Sequence, residues 1–204
     1  IFSVIMTTSN HKPFTFPEGI DGVKPTGGGR EAGVRYADYA LGRFINDLEK
    51  RPYFDDTMLV IVADHGARVY GREDIPVPTY AIPFFVYSPR HVAPRKFTAP
   101  VSQIDVAPTV LGLLDFSYDS AFFGRDALAG GDSYIPLNHN RDIALYQYNA
   151  LNRIGFRKST GTLRYDAATH RQHAAPDDRD GQHDTASVFQ LAHTLYAEHR
   201  YRVH

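Results

Sequence analysis

Apolar residues along this chain fall into short continuous runs and stretches of three-to-four spacing, separated by loops rich in proline and glycine. Ile1-Phe2-Ser3-Val4-Ile5-Met6 is nearly all apolar and ends in Thr7-Thr8-Ser9-Asn10-His11, which predicts a buried strand opening into a polar loop. Pro13, Pro17, Gly19, Pro25 and Gly27-Gly28-Gly29 prolong that loop. From Arg30 to Lys50 the apolar positions Val34, Ala37, Leu41, Ile45 and Leu48 recur at helical steps, so a helix with one stripe toward a core is expected. Glu31 in its first turn and Lys50-Arg51 in its last suit the helix dipole, and Pro52 ends it.

Thr57 to Ala63 is apolar on both faces and rich in β-branched residues, the composition of a central parallel strand, and it runs into Asp64-His65-Gly66. Ala81 to Tyr87 predicts a second buried strand, with Pro83 early on it or at an edge. Ser102 to Pro108 opens a short helix to about Leu114. This order predicts an α/β fold in which a sheet is flanked by helices in three layers, with some parallel pairing. After Asp115 the rhythm changes. Ile143–Tyr148, Arg153–Arg157 and Thr162–Tyr165 read as short antiparallel strands, the last two joined by a turn at Ser159-Thr160-Gly161. Ala174 to Asp184 reads as a linker, and Ser187 to Tyr201 as a terminal helix. The expected organisation is residues 1–140 as part of a catalytic domain and residues 141–204 as its small antiparallel meander and terminal helix.

Composition narrows the function classes. With 43% hydrophobic residues in 204, the chain has material for a core and is not disordered as a whole. Lys and Arg number 22 against 23 Asp and Glu, so no global basic field draws it to nucleic acid. The longest uninterrupted apolar run, Met58 to Ala63, is far below the roughly 18 residues of a membrane span. Cysteine is absent, which removes disulfides, thiolate zinc sites and cysteine nucleophiles. The chain opens on Ile1 inside an apolar run, with no signal-peptide layout, and is expected to be a piece of a longer protein.

Asp64-His65-Gly66 is the sharpest chemical signal. Ligands gather outside the carboxyl ends of strands in open α/β sheets, where a carboxylate and an imidazole can both bind a divalent metal and Gly66 permits a sharp turn. The same residues also allow a plain structural role, with Asp64 capping a turn and His65 donating to a carbonyl. His11 follows the first predicted strand. If the two strands are neighbours, it opens onto the same sheet edge, able to meet an anionic oxygen or assist a proton transfer. Lys12 and Arg68 are candidates for phosphate contact, with solvated surface roles as the alternative. Gly27-Gly28-Gly29 lacks the continuation of a phosphate-binding P-loop. His170, His173, His183, His193, His199 and His204 read as solvated. Neither a Gly-x-Ser-x-Gly elbow nor a His-Glu-x-x-His helix is present.

Five segments in register resemble the alkaline-phosphatase/sulfatase superfamily, most closely its lipoteichoic-acid-synthase-like phosphoglycerol transferase branch. They are Met6–Phe14, Gly29–Ala40, Asp56–Gly66, Ile82–Pro89 and Ser102–Thr109. The resemblance implies an extracytoplasmic catalytic domain hung from N-terminal membrane helices. It implies enzymes that cleave or transfer phosphoryl or sulfuryl esters through a covalent nucleophile held on a divalent metal. Manganese is the first candidate, with zinc, magnesium or calcium as the others. Asp64 and His65 match the family's metal-ligand pair, and His11 the histidine that meets the substrate head group. The other acidic ligand and the threonine nucleophile are expected upstream of Ile1. On that basis the chain alone is expected to be inactive and to bind metal weakly, its partners being the upstream half of the domain and a lipid-linked or glycan phosphoester. A sulfatase or phosphodiesterase of the same superfamily, and a non-catalytic binding module on this fold, are the competing readings.

Overall fold

The computed structural model describes residues 1–67, 73–155 and 160–201. It divides into two units, Ile1–Leu59 with Tyr87–Ala93, and Val60–Val86 with Pro94–His204.

The first unit is built on α1, Gly29–Leu48. Leu48 is buried and Ala37, Leu41 and Ile45 are half-buried, as the spacing predicts, but Val34 is 52% exposed. The buried stripe runs instead through Ala32 and Gly33. The small Gly33 admits the preceding loop: a Cβ there would lie 3.1 Å from both Asn10 Oδ1 and Phe14 Cδ1. Phe16 stacks on Tyr36 with ring centroids 4.8 Å apart. The helix stops earlier than expected, so Lys50 lies beyond its last turn and pairs with Asp47 at 3.0 Å. The predicted strand at Ile1–Met6 does not form. Its apolar side chains are exposed and its backbone has no ladder partner among the described residues, and an apolar run without a neighbouring strand has nothing to pair with.

Next in the chain, β1 (Leu59–Val62) pairs with β2 (Phe84–Tyr87) in a two-stranded sheet. Both strands are shorter than predicted and only half-buried. Pro83 falls just before β2, and its carbonyl accepts the Ala63 amide at 3.3 Å. A 3-10 turn, Gln103–Asp105, leads into α2 (Val106–Leu113). The reciprocal cap of Ser102 and Asp105 satisfies the first amides of that turn.

The meander has five antiparallel strands in sequence order rather than three: β3 (Ile135–His139), β4 (Asp142–Gln147), β5 (Ala150–Gly155), β6 (Gly161–Asp166) and β7 (Arg171–Ala174). Both strands missed in the sequence lie at sheet edges. Pro136 marks β3, where an edge tolerates the missing donor, and β7 is polar apart from Ala174. The sheet therefore begins before residue 141, and His173 sits in a strand rather than a loop. Tyr148 and Asn149, with φ of 50° and 62°, make the two-residue turn between β4 and β5. The predicted turn at Ser159 falls partly outside the described residues.

One face of this sheet carries Leu137, Ala144, Tyr146, Leu151 and Tyr165, which close around Ile75 to form the core cluster. The other face presents Asn152 and Thr162, and α3 (Arg179–Ala197) packs there. This helix starts well before the predicted Ser187, inside the expected linker. Asp178 caps it by accepting the Gly181 amide at 3.0 Å. Thr185, fully buried, donates to the Gly181 carbonyl at 2.7 Å. The first turns pack through Gly181 and Thr185 rather than through an apolar stripe, so periodicity does not reveal them. No helix among the described residues is long and apolar enough to cross a membrane.

Candidate active site

Asp64 and His65 follow the end of β1 after one residue, Ala63, as the apolar run before them predicts. Their side chains are 74% and 77% exposed. Asp64 Oδ1 accepts the His65 amide at 2.9 Å, and His65 Nδ1 lies 3.0 Å from the Gly66 carbonyl. A carbonyl can only accept, so Nδ1 carries the proton and a neutral ring then has its lone pair on Nε2. That nitrogen stands 3.8 Å from Asp64 Oδ2. Two ligands at roughly 2.1 Å from one ion stand about 3 to 4 Å apart, so the free atoms of this pair fit a shared divalent cation. Turn capping and metal ligation, alternatives in the sequence, call on different atoms of the pair and are geometrically compatible. No group of three or more His, Cys, Asp or Glu able to hold a metal occurs among the described residues, so this pair by itself does not make a metal site.

The loop is held from two directions within its unit. Gly66 lies against the backbone of the 3-10 turn Val77–Tyr80 and of Ala81 at its end: a Cβ on it would overlap the Thr79 carbonyl and lie 3.0 Å from the Ala81 carbonyl oxygen. That turn is anchored on the five-stranded sheet. Glu73 accepts the Gln172 amide at 3.0 Å, and Asp74 meets Arg153 at 2.8 Å. Ile75 is fully buried and its carbonyl takes the Gln172 side-chain amide. Tyr80 donates its hydroxyl to the Asn138 carbonyl at 2.7 Å, and burial pushes that phenol's pKa up, which keeps it a donor. From the other direction Gln103 reaches the Ala63 and Asp64 carbonyls at 3.0 and 3.1 Å. Sequence reasoning gave Gln103 no role, because hydrogen bonds across about 40 positions leave no local pattern.

His11 and Lys12 lie in the loop before α1, in the first unit. His11 Nδ1 is 2.9 Å from the Lys12 carbonyl, so its Nε2 is also left open, and the ring is exposed. The His11 amide donates to Thr8 and its carbonyl accepts from Phe14, at 3.0 and 3.1 Å. Lys12 is exposed. Arg68 lies outside the described residues, as does His204. His183 and His193 are on α3, and His170 packs its ring on Tyr165.

A family model described as Sulfatase matches residues 1–116, and this chain belongs to that family. Among curated relatives, lipoteichoic acid synthase 2 of Bacillus subtilis (strain 168) is 26% identical over 182 residues, covering 78% of this chain and 28% of that protein. Lipoteichoic acid synthase of Staphylococcus aureus (strain USA300) is 26% identical over 179 residues, covering 74% of this chain and 26% of its own length. A sulfatase of Formosa agariphila is 31% identical over 85 residues, covering 39% of this chain and 17% of that protein. The solved structure of an alkaline phosphatase superfamily protein from Vibrio parahaemolyticus matches with a TM-score of 0.84 at 26% identity, over 97% of this chain and 49% of that one. The superfamily and the lipoteichoic-acid-synthase-like branch expected from the motifs are both borne out. The chain spans only about a quarter of the length of the synthases it matches.

Proposed function

We propose that this chain is part of a metal-dependent, sulfatase-like phosphoglycerol transferase and supplies the Asp64–His65 arm of its metal centre. The substrate class is a lipid-linked or glycan phosphoester outside the membrane. What carries the reading is the pair at the end of β1, with His65 Nδ1 engaged by Gly66 while Nε2 and Asp64 Oδ2 stand 3.8 Å apart, with no hydrogen bond to another described residue.

A divalent ion, with manganese the first candidate, would be held by those two atoms; when bound, such an ion neutralises charge on a transferred phosphoryl group and lowers the pKa of a hydroxyl nucleophile. Asp64 contributes the negative charge. The Gly66 carbonyl holds the His65 ring in orientation and tautomer, as outer partners of metal-bound histidines do. His11, with Nδ1 spent on the Lys12 carbonyl, offers Nε2 to a hydroxyl of the substrate head group. Lys12 and Arg68, the latter outside the described residues, are the proposed candidates for phosphate contact. In this reading the nucleophile, a further acidic ligand and the membrane helices lie outside residues 1–204. The small share of the synthases' length that the chain covers supports that division. Sulfate-ester hydrolysis is the second reading, favoured by the 31% identity to the Formosa sulfatase over 85 residues.

The test is turnover by the intact gene product of a phosphoglycerol lipid and of an aryl sulfate, each with and without manganese. Manganese-dependent transfer from the phosphoglycerol lipid is the expected result, with His11→Ala lowering kcat roughly a hundredfold and manganese affinity far less. Turnover of the sulfate alone would select the second reading. Turnover of neither would leave the fold as a binding module.

A further inference from the structure

The exposure of Asp64 and His65 raises the question of what fixes their direction. Just beyond β1, the Ala63 amide donates to the Pro83 carbonyl at 3.3 Å. Beyond it, the carbonyls of Ala63 and Asp64 both accept from a single side-chain nitrogen, Gln103 Nε2, at 3.0 and 3.1 Å. Those carbonyls belong to the peptide planes on either side of the Asp64 Cα. Holding both planes sets φ and ψ of Asp64, and with them the direction of its Cα–Cβ bond.

Gln103 is itself held at its base. It is the first residue of the turn capped by Ser102 and Asp105. The Asp105 carboxylate is buried at 3% exposure and accepts the Ser102 amide through one oxygen and the Arg125 amide through the other, both at 2.9 Å. Gly124, next to Arg125, packs so tightly that a Cβ on it would overlap the Ile104 carbonyl and lie 2.8 Å from the Asp105 amide nitrogen. A buried carboxylate and a close-packed backbone thus fix the root of an exposed glutamine, whose amide then reaches the strand end.

We infer that Gln103 is the positioning residue of the Asp64–His65 pair: its amide locks the two peptide planes around Asp64 and so presets the ligand geometry before any ion binds. The part of this inference that concerns metal rests on the proposed function; the part that concerns the loop does not. Gln103→Met keeps the length of the side chain and removes both donors, and Gln103→Glu replaces them with acceptors that repel the two carbonyls.

Hydrogen exchange of the Ala63 and His65 amides in the metal-free protein reads the loop directly. Both variants should speed it roughly tenfold, with the midpoint of global unfolding unchanged because the side chain is exposed. Manganese titration reads the consequence: the dissociation constant should rise roughly tenfold in Gln103→Met, within the range for outer-shell partners, and kcat should fall while KM holds. Unchanged exchange at Ala63 and His65 would overturn the inference. So would faster exchange with unchanged manganese affinity, provided Asp64→Ala abolishes that affinity. If Asp64→Ala leaves manganese binding intact, the proposed metal centre fails, and the exchange rates alone decide the role of Gln103.

Discussion

In the intact gene product, Asp64→Ala is expected to lower turnover by roughly a thousandfold, the loss of about 4 kcal/mol of the charge stabilisation that a metal bound at the proposed site would supply. Stability changes little. The side chain is 74% exposed and, among the described residues, its Oδ1 accepts only the adjacent His65 amide, so the free energy of unfolding should hold within about 0.5 kcal/mol. The separation matters, since an inactive but unfolded variant would say nothing about chemistry. Steady-state kinetics beside thermal denaturation makes the comparison, and Asp64→Ala with near-normal turnover would remove this carboxylate from the active site.

Gly66→Ala shows the opposite combination, losing stability and turnover together. The added methyl would overlap the Thr79 carbonyl and stand 3.0 Å from the Ala81 carbonyl oxygen. Neither atom is the end of a flexible side chain. Relief needs the turn Val77–Tyr80 to move, and that turn is tied to the five-stranded sheet through Asp74, Ile75 and Tyr80. Overpacking of this kind costs about 1 to 3 kcal/mol. The alternative is for the Asp64–His65 loop to give way instead, and a shift of about 1 Å at a catalytic group costs roughly a hundredfold in rate. Chemical denaturation and kinetics on the same preparation read both effects; a variant with wild-type stability would show that the close approach at Gly66 does not constrain the loop.

How much of this was legible in the sequence depended on whether a residue's role was local. The end of β1 could be read because a β-branched apolar run stops at Asp64, and α1 because its apolar spacing spans several turns. In the meander, β4, β5 and β6 carry the buried face and so show a hydrophobic signature. The edges β3 and β7 pair on one side only, so Pro136 and the polar Arg171-Gln172-His173 can occupy them. The first turns of α3 escaped because Gly181 and Thr185 pack by smallness and hydrogen bonding. Ile1–Met6 shows the reverse error. Apolar content indicates a preference for burial, whereas a strand also requires a partner for its backbone. In the candidate site, Asp64 and His65 stand out as residue types at a strand end. The contributions of Gln103, Thr79 and Ala81 come from long-range contacts, in the last two cases from backbone carbonyls that any residue supplies.

The central claim, a divalent-metal site at the end of β1, is most directly tested by anomalous diffraction from crystals of the protein soaked in millimolar manganese. The account predicts a manganese peak within bonding distance, about 2.1 to 2.3 Å, of both Asp64 Oδ2 and His65 Nε2, and its disappearance in Asp64→Ala. Manganese bound elsewhere with none at this pair, or a peak here that survives Asp64→Ala, would contradict it.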